Sequence, residues 1–301
     1  MKMTGEYEIK ACAKINLGLD VTGKREDGYH LLRMVMQNIG IADRLVFRRN
    51  DTKEIRIRSN LKFLPTGPKN LIYRTVETIR DEFGIADGVD VELEKKIPVA
   101  AGLAGGSTDA AAAILAMDSL FGLGMDAGKM REMGLKTGAD VPFCLLGGTA
   151  LAEGIGEILT RLAPMPDCRI LLVKPKFGIS TKYVYQAIDE KMPGEHPDID
   201  AIIKALDAGD LGGICANMGN VLENVSCAEY PVLDRIKDTM REQGALNAMM
   251  SGSGPTLFGI FDDTDKAERA YRFFKAGEYG RDTFLTGPVH KEKDCYGDRN
   301  T

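Results

Sequence analysis

Apolar residues alternate with polar or small ones from Glu8 to Asp20. Ile9, Ala11, Ala13, Ile15, Leu17 and Leu19 fall on one face, and Cys12, Lys14, Asn16 and Gly18 on the other. This pattern predicts a strand on which Lys14 and Asn16 are neighbours. A lysine there fits either an edge strand guarded against aggregation or a site lysine. The turn-rich stretch Thr22–His30 follows, with Asp27-Gly28 as its turn dipeptide, and it delivers Tyr29 and His30 just before the apolar run Leu31–Ile41. Leu45-Val46-Phe47 and Ile55–Arg58 read as further strands. Ile72, Val76, Ile79 and Phe83 keep helical spacing, with Asn70 as N-cap and Gly84 as stop.

Val89–Glu94 alternates again as a half-buried strand, and Ala110–Ala113 with Ile114, Leu115 and Met117 predicts a buried helix. Between them lies Ile97-Pro98-Val99-Ala100-Ala101-Gly102-Leu103-Ala104-Gly105-Gly106-Ser107-Thr108-Asp109. Strand, glycine-rich loop and helix start form an arrangement that presents backbone N–H groups and a positive helix end to an anion. Alone, such a loop fits a tight turn equally well. Ser107 fits a helix N-cap or a ligand to phosphate or metal. No lysine follows Gly106, so the triphosphate P-loop pattern is not met, and Gly122-Leu123-Gly124 follows a helix rather than a strand, which reads as a helix end.

A second helix is predicted from near Asp126 to Gly138, with Met130 and Met133 inward. Asp140, just before Val141-Pro142-Phe143, fits an N-cap or a carboxylate offered to a reaction. Prolines around Arg161–Asp167 mark a domain boundary. Beyond it come a strand at Arg169–Val173, a Ser180-capped helix bearing Tyr183, Tyr185 and Ile188, helices at Ile199–Leu206 and Tyr230–Gln243, and strands at Ala245–Met250 and Thr256–Phe261. These last flank a second glycine turn, Ser251-Gly252-Ser253-Gly254-Pro255. A helix with Ala267, Tyr271 and Phe274 and a strand near Thr283–Leu285 complete an α+β pattern, and the tail from Lys291 is expected to fray.

Composition narrows the function. The 301 residues carry a net charge of −5 and no long basic run, which argues against nucleic acid as partner. No apolar run approaches the roughly 20 residues of a membrane span. Six cysteines stand in no tight pair and no secretory apolar stretch opens the chain, so thiols in the cytoplasm are expected. The three histidines are too scattered for a zinc site.

The loop Pro98–Ala111 resembles the ATP loop of the GHMP small-molecule kinases. Within that superfamily, Ala13-Lys14-Ile15-Asn16-Leu17, Gly28-Tyr29-His30 and Gly138–Phe143 resemble the motifs of one family, the kinases of a cytidyl sugar alcohol, and Ser251–Pro255 is similar to the superfamily's third glycine motif, all in order over about residues 8–285. Ala101 and Ala104 stand where glycines are frequent, and Thr108 where serine is usual. The resemblance implies an α+β, mixed α/β, two-domain kinase. Residues 1–160 would form an ATP domain like ribosomal protein S5 domain 2, and residues 161–301 a ferredoxin-like domain. It implies ATP-dependent phosphorylation of the 2-hydroxyl of 4-diphosphocytidyl-2-C-methyl-D-erythritol, a step of mevalonate-independent isoprenoid precursor synthesis.

By position, Asp140 would be the base and Lys14 its charged neighbour. Pro98, Val99, Ala100, Ala101, Gly102, Leu103, Ala104, Gly105, Gly106, Ser107 and Thr108 would bind ATP. Asn16 would lie beside the sugar alcohol, and Tyr29, His30 and Tyr185 against cytosine. Mg²⁺ would accompany ATP, with Ser107 a candidate ligand and no acidic ligand assignable. The expected assembly is a monomer or homodimer. Two alternatives remain: another GHMP kinase acting on homoserine, mevalonate or a sugar, and a catalytically silent nucleotide-binding protein on the same scaffold.

Overall fold

The computed structural model describes residues 5–190, 196–279 and 282–290. Its first half runs β1 (Glu6–Lys24), β2 (His30–Asn50), β3 (Ile55–Ser59), α1 (Leu71–Phe83), β4 (Gly88–Glu94), α2 (Gly105–Phe121), α3 (Ala127–Thr137), α4 (Val141–Leu146), β5 (Thr149–Gly154) and β6 (Ile158–Arg161). The second half runs β7 (Arg169–Val173), α5 (Thr181–Glu190), α6 (Ile199–Asp207), α7 (Leu211–Asn217), β8 (Gly219–Asn220), α8 (Glu223–Glu229), α9 (Val232–Glu242), β9 (Asn247–Met250), β10 (Leu257–Phe261), α10 (Thr264–Ala276) and β11 (Thr283–Thr286).

One sheet has the order β3-β4-β2-β1-β8, with β5 pairing β2 and β6; the other is β11-β7-β10-β9. The long β2 pairs with β1 along one side and with β5 and then β4 along the other, so the two expected segments at Leu31 and Leu45 are one strand. β8 pairs β1 only at Gly18 and Leu19, but Lys14 is buried and its N–H donates to the Leu103 carbonyl at 3.2 Å, which removes the reading of Lys14 as a guard on an open edge. The simple alternation of β1 also fails. Register shifts fall at Cys12/Lys14, Asn16/Gly18 and Val21/Gly23. Accordingly Ala11 and Cys12 join the core beneath α1 and α2, whereas Ala13, Ile15 and Leu17 join a second core with Ile199, Ile202, Leu172 and Phe258. Bulges re-aim side chains in this way, often beside functional sites.

That second core ties the two sheets together. A Cβ on Gly18 would sit 2.6 Å from Ile202, so glycine there is what lets α6 pack closely on β1. Asn70 caps α1 by accepting from the Ile72 N–H, and Gly84 closes it in the left-handed conformation, as the spacing predicts. α2 is buried almost all round by its alanines, and Asp126 caps α3. Among the cysteines, Cys144, Cys168, Cys215 and Cys227 are free. Cys12 is disulfide-bonded, which overturns the expectation of thiols throughout: sequence spacing does not reveal which distant cysteines meet. No helix among the described residues is long and apolar enough to cross a membrane. The tail from Lys291 lies outside the described residues.

Candidate active site

A cleft of about 1160 Å³ is lined by β1, β2, the start of α2, α5 and the Gly252-Ser253 turn, and the separately predicted motifs converge on it. One wall is the glycine loop. α2 begins at Gly105, and its N-cap Ala104 supplies no side-chain cap. The first helical bond there is Thr108 N–H to Ala104 C=O at 2.9 Å, so the N–H groups ahead of it have no helical acceptor. Ser107 therefore lies inside the first turn, and its reading as N-cap is withdrawn.

Ala100 and Ala104 have φ of 51° and 56°, left-handed conformations that cost a non-glycine residue about 1–2 kcal/mol each. The surroundings hold them there. The Gly102 carbonyl accepts from Lys14 Nζ at 3.1 Å and from Ser251 Oγ at 2.9 Å. A Cβ on Gly102 would stand 2.1 Å from the Ser251 carbonyl oxygen. The second glycine turn is thus a clamp on the first, and Asn220 secures it by donating to the Met250 and Gly252 carbonyls.

Two expected ATP-loop residues face away from the cleft. Leu103 is buried in the second core, with its carbonyl accepting from the Lys14 N–H at 3.2 Å. Thr108 is fully buried and donates to the Cys12 carbonyl at 2.8 Å. Gly105 also has its open side inward: a Cβ would meet Ile97 at 3.0 Å and Lys95 Nζ at 3.1 Å. A larger residue at 105 would disturb that interior rather than the approach of a phosphate.

Beneath the loop lies a buried charge cluster that sequence reasoning missed. Lys95 Nζ binds Asp43 Oδ2 at 2.5 Å and Asp109 Oδ2 at 2.8 Å, and reaches the Gly105 carbonyl at 3.3 Å. Asp43 Oδ1 accepts from the Lys96 and Ile97 N–H groups. Burial pushes the Asp109 carboxyl well above the usual carboxylate range; Lys95 opposes this and Asp43 adds to it. Burial pulls Lys95 down, but its two carboxylates outweigh that and raise it. Asp109 Oδ1 is buried without a hydrogen-bond partner and lines the cleft. The available signal was an aspartate inside an apolar strand and another just before the four alanines of a buried helix, since such groups are buried only when paired.

Lys14 and Asp140 share the cleft. Lys14 is buried and donates to Asn16 Oδ1 at 2.7 Å. Burial lowers its ammonium below the ordinary lysine range, while the charge of Asp140 acts in the other direction. Asp140 occupies the N-cap position of α4 but makes no capping bond, which leaves its carboxylate half-buried and turned to the cleft. A further part of the lining comes from the loop between β1 and β2 and from α5. Tyr29 is 61% exposed on the rim, and the His30 ring lies 5.2 Å from Tyr185 at 32°. Burial, then the charge of Asp140, raises the Tyr185 phenol, so it stays protonated. Asp189, absent from the expectations, bonds His30 Nε2 at 2.8 Å and Lys24 Nζ at 2.5 Å.

An anion cradle, a carboxylate beside a buried ammonium and an aromatic pocket in one cleft define a small-molecule kinase of the GHMP class, and the family comparisons agree. The model described as GHMP kinases N terminal domain matches residues 70–148, and GHMP kinases C terminal matches residues 202–279. A 4-diphosphocytidyl-2-C-methyl-D-erythritol kinase of Lachnospira eligens is 50% identical over 278 residues, 92% of this chain and 96% of that one. Its counterpart in Clostridium perfringens is 47% identical over 283 residues, covering 94% and 98%. A crystal structure of 4-(cytidine 5′-diphospho)-2C-methyl-D-erythritol kinase superposes with TM-score 0.81 at 34% identity over 95% of this chain and 100% of that one. The chain belongs to the 4-diphosphocytidyl-2-C-methyl-D-erythritol kinase family. A homoserine kinase from Cytophaga hutchinsonii, TM-score 0.73 at 20% identity, shares the fold.

Proposed function

We propose that this enzyme transfers the γ-phosphoryl group of ATP to the 2-hydroxyl of 4-diphosphocytidyl-2-C-methyl-D-erythritol. The observation that supports the reading is that one cleft is lined together by the α2 N-terminus, by Lys14 and Asp140, and by His30, Tyr29 and Tyr185. Uncapped N–H groups at Gly105–Ser107 receive the phosphates, with Pro98 to Ala101 alongside the nucleotide. Asp140 orients the acceptor hydroxyl and takes its proton as the O–P bond forms. An aspartate cannot deprotonate an alcohol in the ground state, because its ordinary pKa is near 3.9. Lys14 neutralises charge on the transferring group, and Asn16 Oδ1 fixes where its ammonium points. Positioning two reactants is worth roughly 7–11 kcal/mol and one well-aimed donor about 3–4. The cradle and cleft therefore contribute more than proton abstraction. Tyr29, His30 and Tyr185 hold the cytosine.

Mg²⁺ suits this donor set. The unpartnered Asp109 Oδ1 and the half-buried Ser107 hydroxyl offer two protein oxygens at the cradle, and a phosphate-bound Mg²⁺ takes one or two such ligands beside water and phosphate oxygens. Those two residues would hold the ion, which supplies charge neutralisation on the phosphates. The proposal includes a division into two domains near residue 160, moved just past Arg161 because β6 (Ile158–Arg161) pairs with β5 as one strand, and a cytoplasmic setting. Phosphorus NMR of the product tests the reaction. A new phosphomonoester beside an intact diphosphate is expected; cleavage of the diphosphate instead would overturn it.

A further inference from the structure

Resting on the reading of Lys14 as the ammonium that meets the transferring group, we propose that Thr108 and Asn38 are positioning residues, whose side chains hold the break in β1 that sets Lys14 in the cleft. β1 is short of strand partners on both sides just ahead of the lysine. On one side Cys12 pairs with Ala42 and Lys14 with Asn38, so Ile39, Gly40 and Ile41 of β2 stand opposite Ala13 alone. β2 turns elsewhere there: the Gly40 N–H donates to the Gly287 carbonyl at 3.1 Å, and Ile39 bridges to Pro288. On the other side β8 pairs only with Gly18 and Leu19. Buried backbone groups without a ladder partner need another.

Three substitutes stand on consecutive residues. The Thr108 hydroxyl donates to the Cys12 carbonyl at 2.8 Å, the Asn38 amide donates to the Ala13 carbonyl at 3.2 Å, and the Lys14 N–H donates to the Leu103 carbonyl at 3.2 Å. Thr108 and Asn38 are 0% and 1% exposed, so water does not compete for either bond. The Thr108 N–H also makes the first helical bond of α2, to the Ala104 carbonyl at 2.9 Å. One residue therefore ties the phosphate cradle to β1 at Cys12 and sets the spacing between anion site and ammonium. The tip of Lys14 is held by Asn16 Oδ1 and the Gly102 carbonyl; Thr108 and Asn38 fix where its side chain starts. A misplacement of about 1 Å in a group that meets the reacting atoms lowers the rate about 10²-fold.

Thr108→Val keeps the shape and removes the hydroxyl, Thr108→Ser keeps the hydroxyl, and Asn38→Leu removes the amide from the neighbouring strand. Single-turnover rates are measured with saturating Mg·ATP and 4-diphosphocytidyl-2-C-methyl-D-erythritol, beside ATP affinity without acceptor. Ile114→Val, in the buried middle of α2, is the control. Thr108→Val and Asn38→Leu should each slow transfer at least about tenfold with ATP affinity little changed, and Thr108→Ser should recover most of the rate. Ile114→Val should keep the wild-type rate even where its melting temperature falls. In a Lys14→Ala background Thr108→Val and Asn38→Leu should add nothing, because residues that act through one group are not additive. Full multiplicative slowing in that background would overturn the proposal, as would a normal rate in Thr108→Val. Where Thr108→Val does not fold, Asn38→Leu makes the same test from β2. Lys14→Ala alone separates the two failures: a near-normal rate there refutes the catalytic reading of Lys14, whereas a slow Lys14→Ala beside unaffected Thr108→Val and Asn38→Leu refutes only the positioning role.

Discussion

Replacing Lys95 with methionine keeps much of the side chain's apolar length and removes only its charge. In the folded protein Lys95, Asp43 and Asp109 side chains are 3%, 0% and 5% exposed, so solvent does little to screen the two carboxylates left behind. Breaking a buried pair by deleting one partner costs about 3–5 kcal/mol. Without Lys95 the Asp109 carboxyl, already raised by burial, is relieved by a proton while Asp43 is stranded, so one broken pair is counted and a melting temperature lower by roughly 5–10 °C follows. The same ammonium reaches the Gly105 carbonyl, and Asp43 holds the Lys96 and Ile97 N–H groups. The loop should therefore loosen, with a raised KM for ATP. Urea unfolding at pH 7.5 gives the stability, and a nucleotide titration gives the affinity. Asp43→Asn in the Lys95→Met background should recover part of the loss, because burial already favours the protonated Asp109 once Lys95 is gone and Asp43 is the carboxylate left without its partner. A stability loss below about 1 kcal/mol, the value of an exposed pair, would refute the idea of a charged hub under the cradle.

Asp140→Asn should lower kcat by about 10²–10⁴-fold while ATP still binds; near-normal single-turnover rates would reduce Asp140 to a role in the start of α4. Gly102→Ala combines a φ of 75° with a Cβ 2.1 Å from the Ser251 carbonyl oxygen. It should cost about 2–5 kcal/mol in unfolding experiments and weaken ATP binding, and an unchanged protein would show that the two glycine turns do not clamp each other. Lys14 has an ammonium lowered by burial, so it loses its proton at lower pH than an ordinary lysine. Since the charged form is the active one, kcat/KM should fall as pH rises, with an alkaline limb below the ordinary lysine range. The limb should vanish in the residual activity of Lys14→Arg, whose guanidinium stays charged; a limb in the ordinary lysine range would contradict the buried, functional ammonium.

Local rules read α1 and α3 well, because their caps and apolar spacing lie within a few residues of each other. The glycine loop between β4 and α2 was legible for the same reason. What escaped was set by partners far along the chain. β1 looked like a plain alternating strand, yet its bulges, whose register is fixed by β2, decide which core each residue enters. The short α7 and α8 carry too few residues for a helical period to declare itself. Asp43, Lys95 and Asp109 come from three separate elements, and their meeting is a property of the fold. Asp189 escaped because a carboxylate near a helix end reads as solvated until His30 and Lys24 are seen against it. Pattern supplied candidates such as Lys14, Asp140 and His30; the fold supplied the groups that hold and tune them.

The central claim is tested most directly by ADP release from Mg·ATP with one acceptor at a time: 4-diphosphocytidyl-2-C-methyl-D-erythritol, homoserine and mevalonate. Turnover with the cytidyl compound alone is the expected result. Turnover with homoserine or mevalonate instead would contradict the assignment of Tyr29, His30 and Tyr185 to a cytosine pocket, and ATP binding without turnover on any acceptor would contradict the catalytic roles given to Lys14 and Asp140.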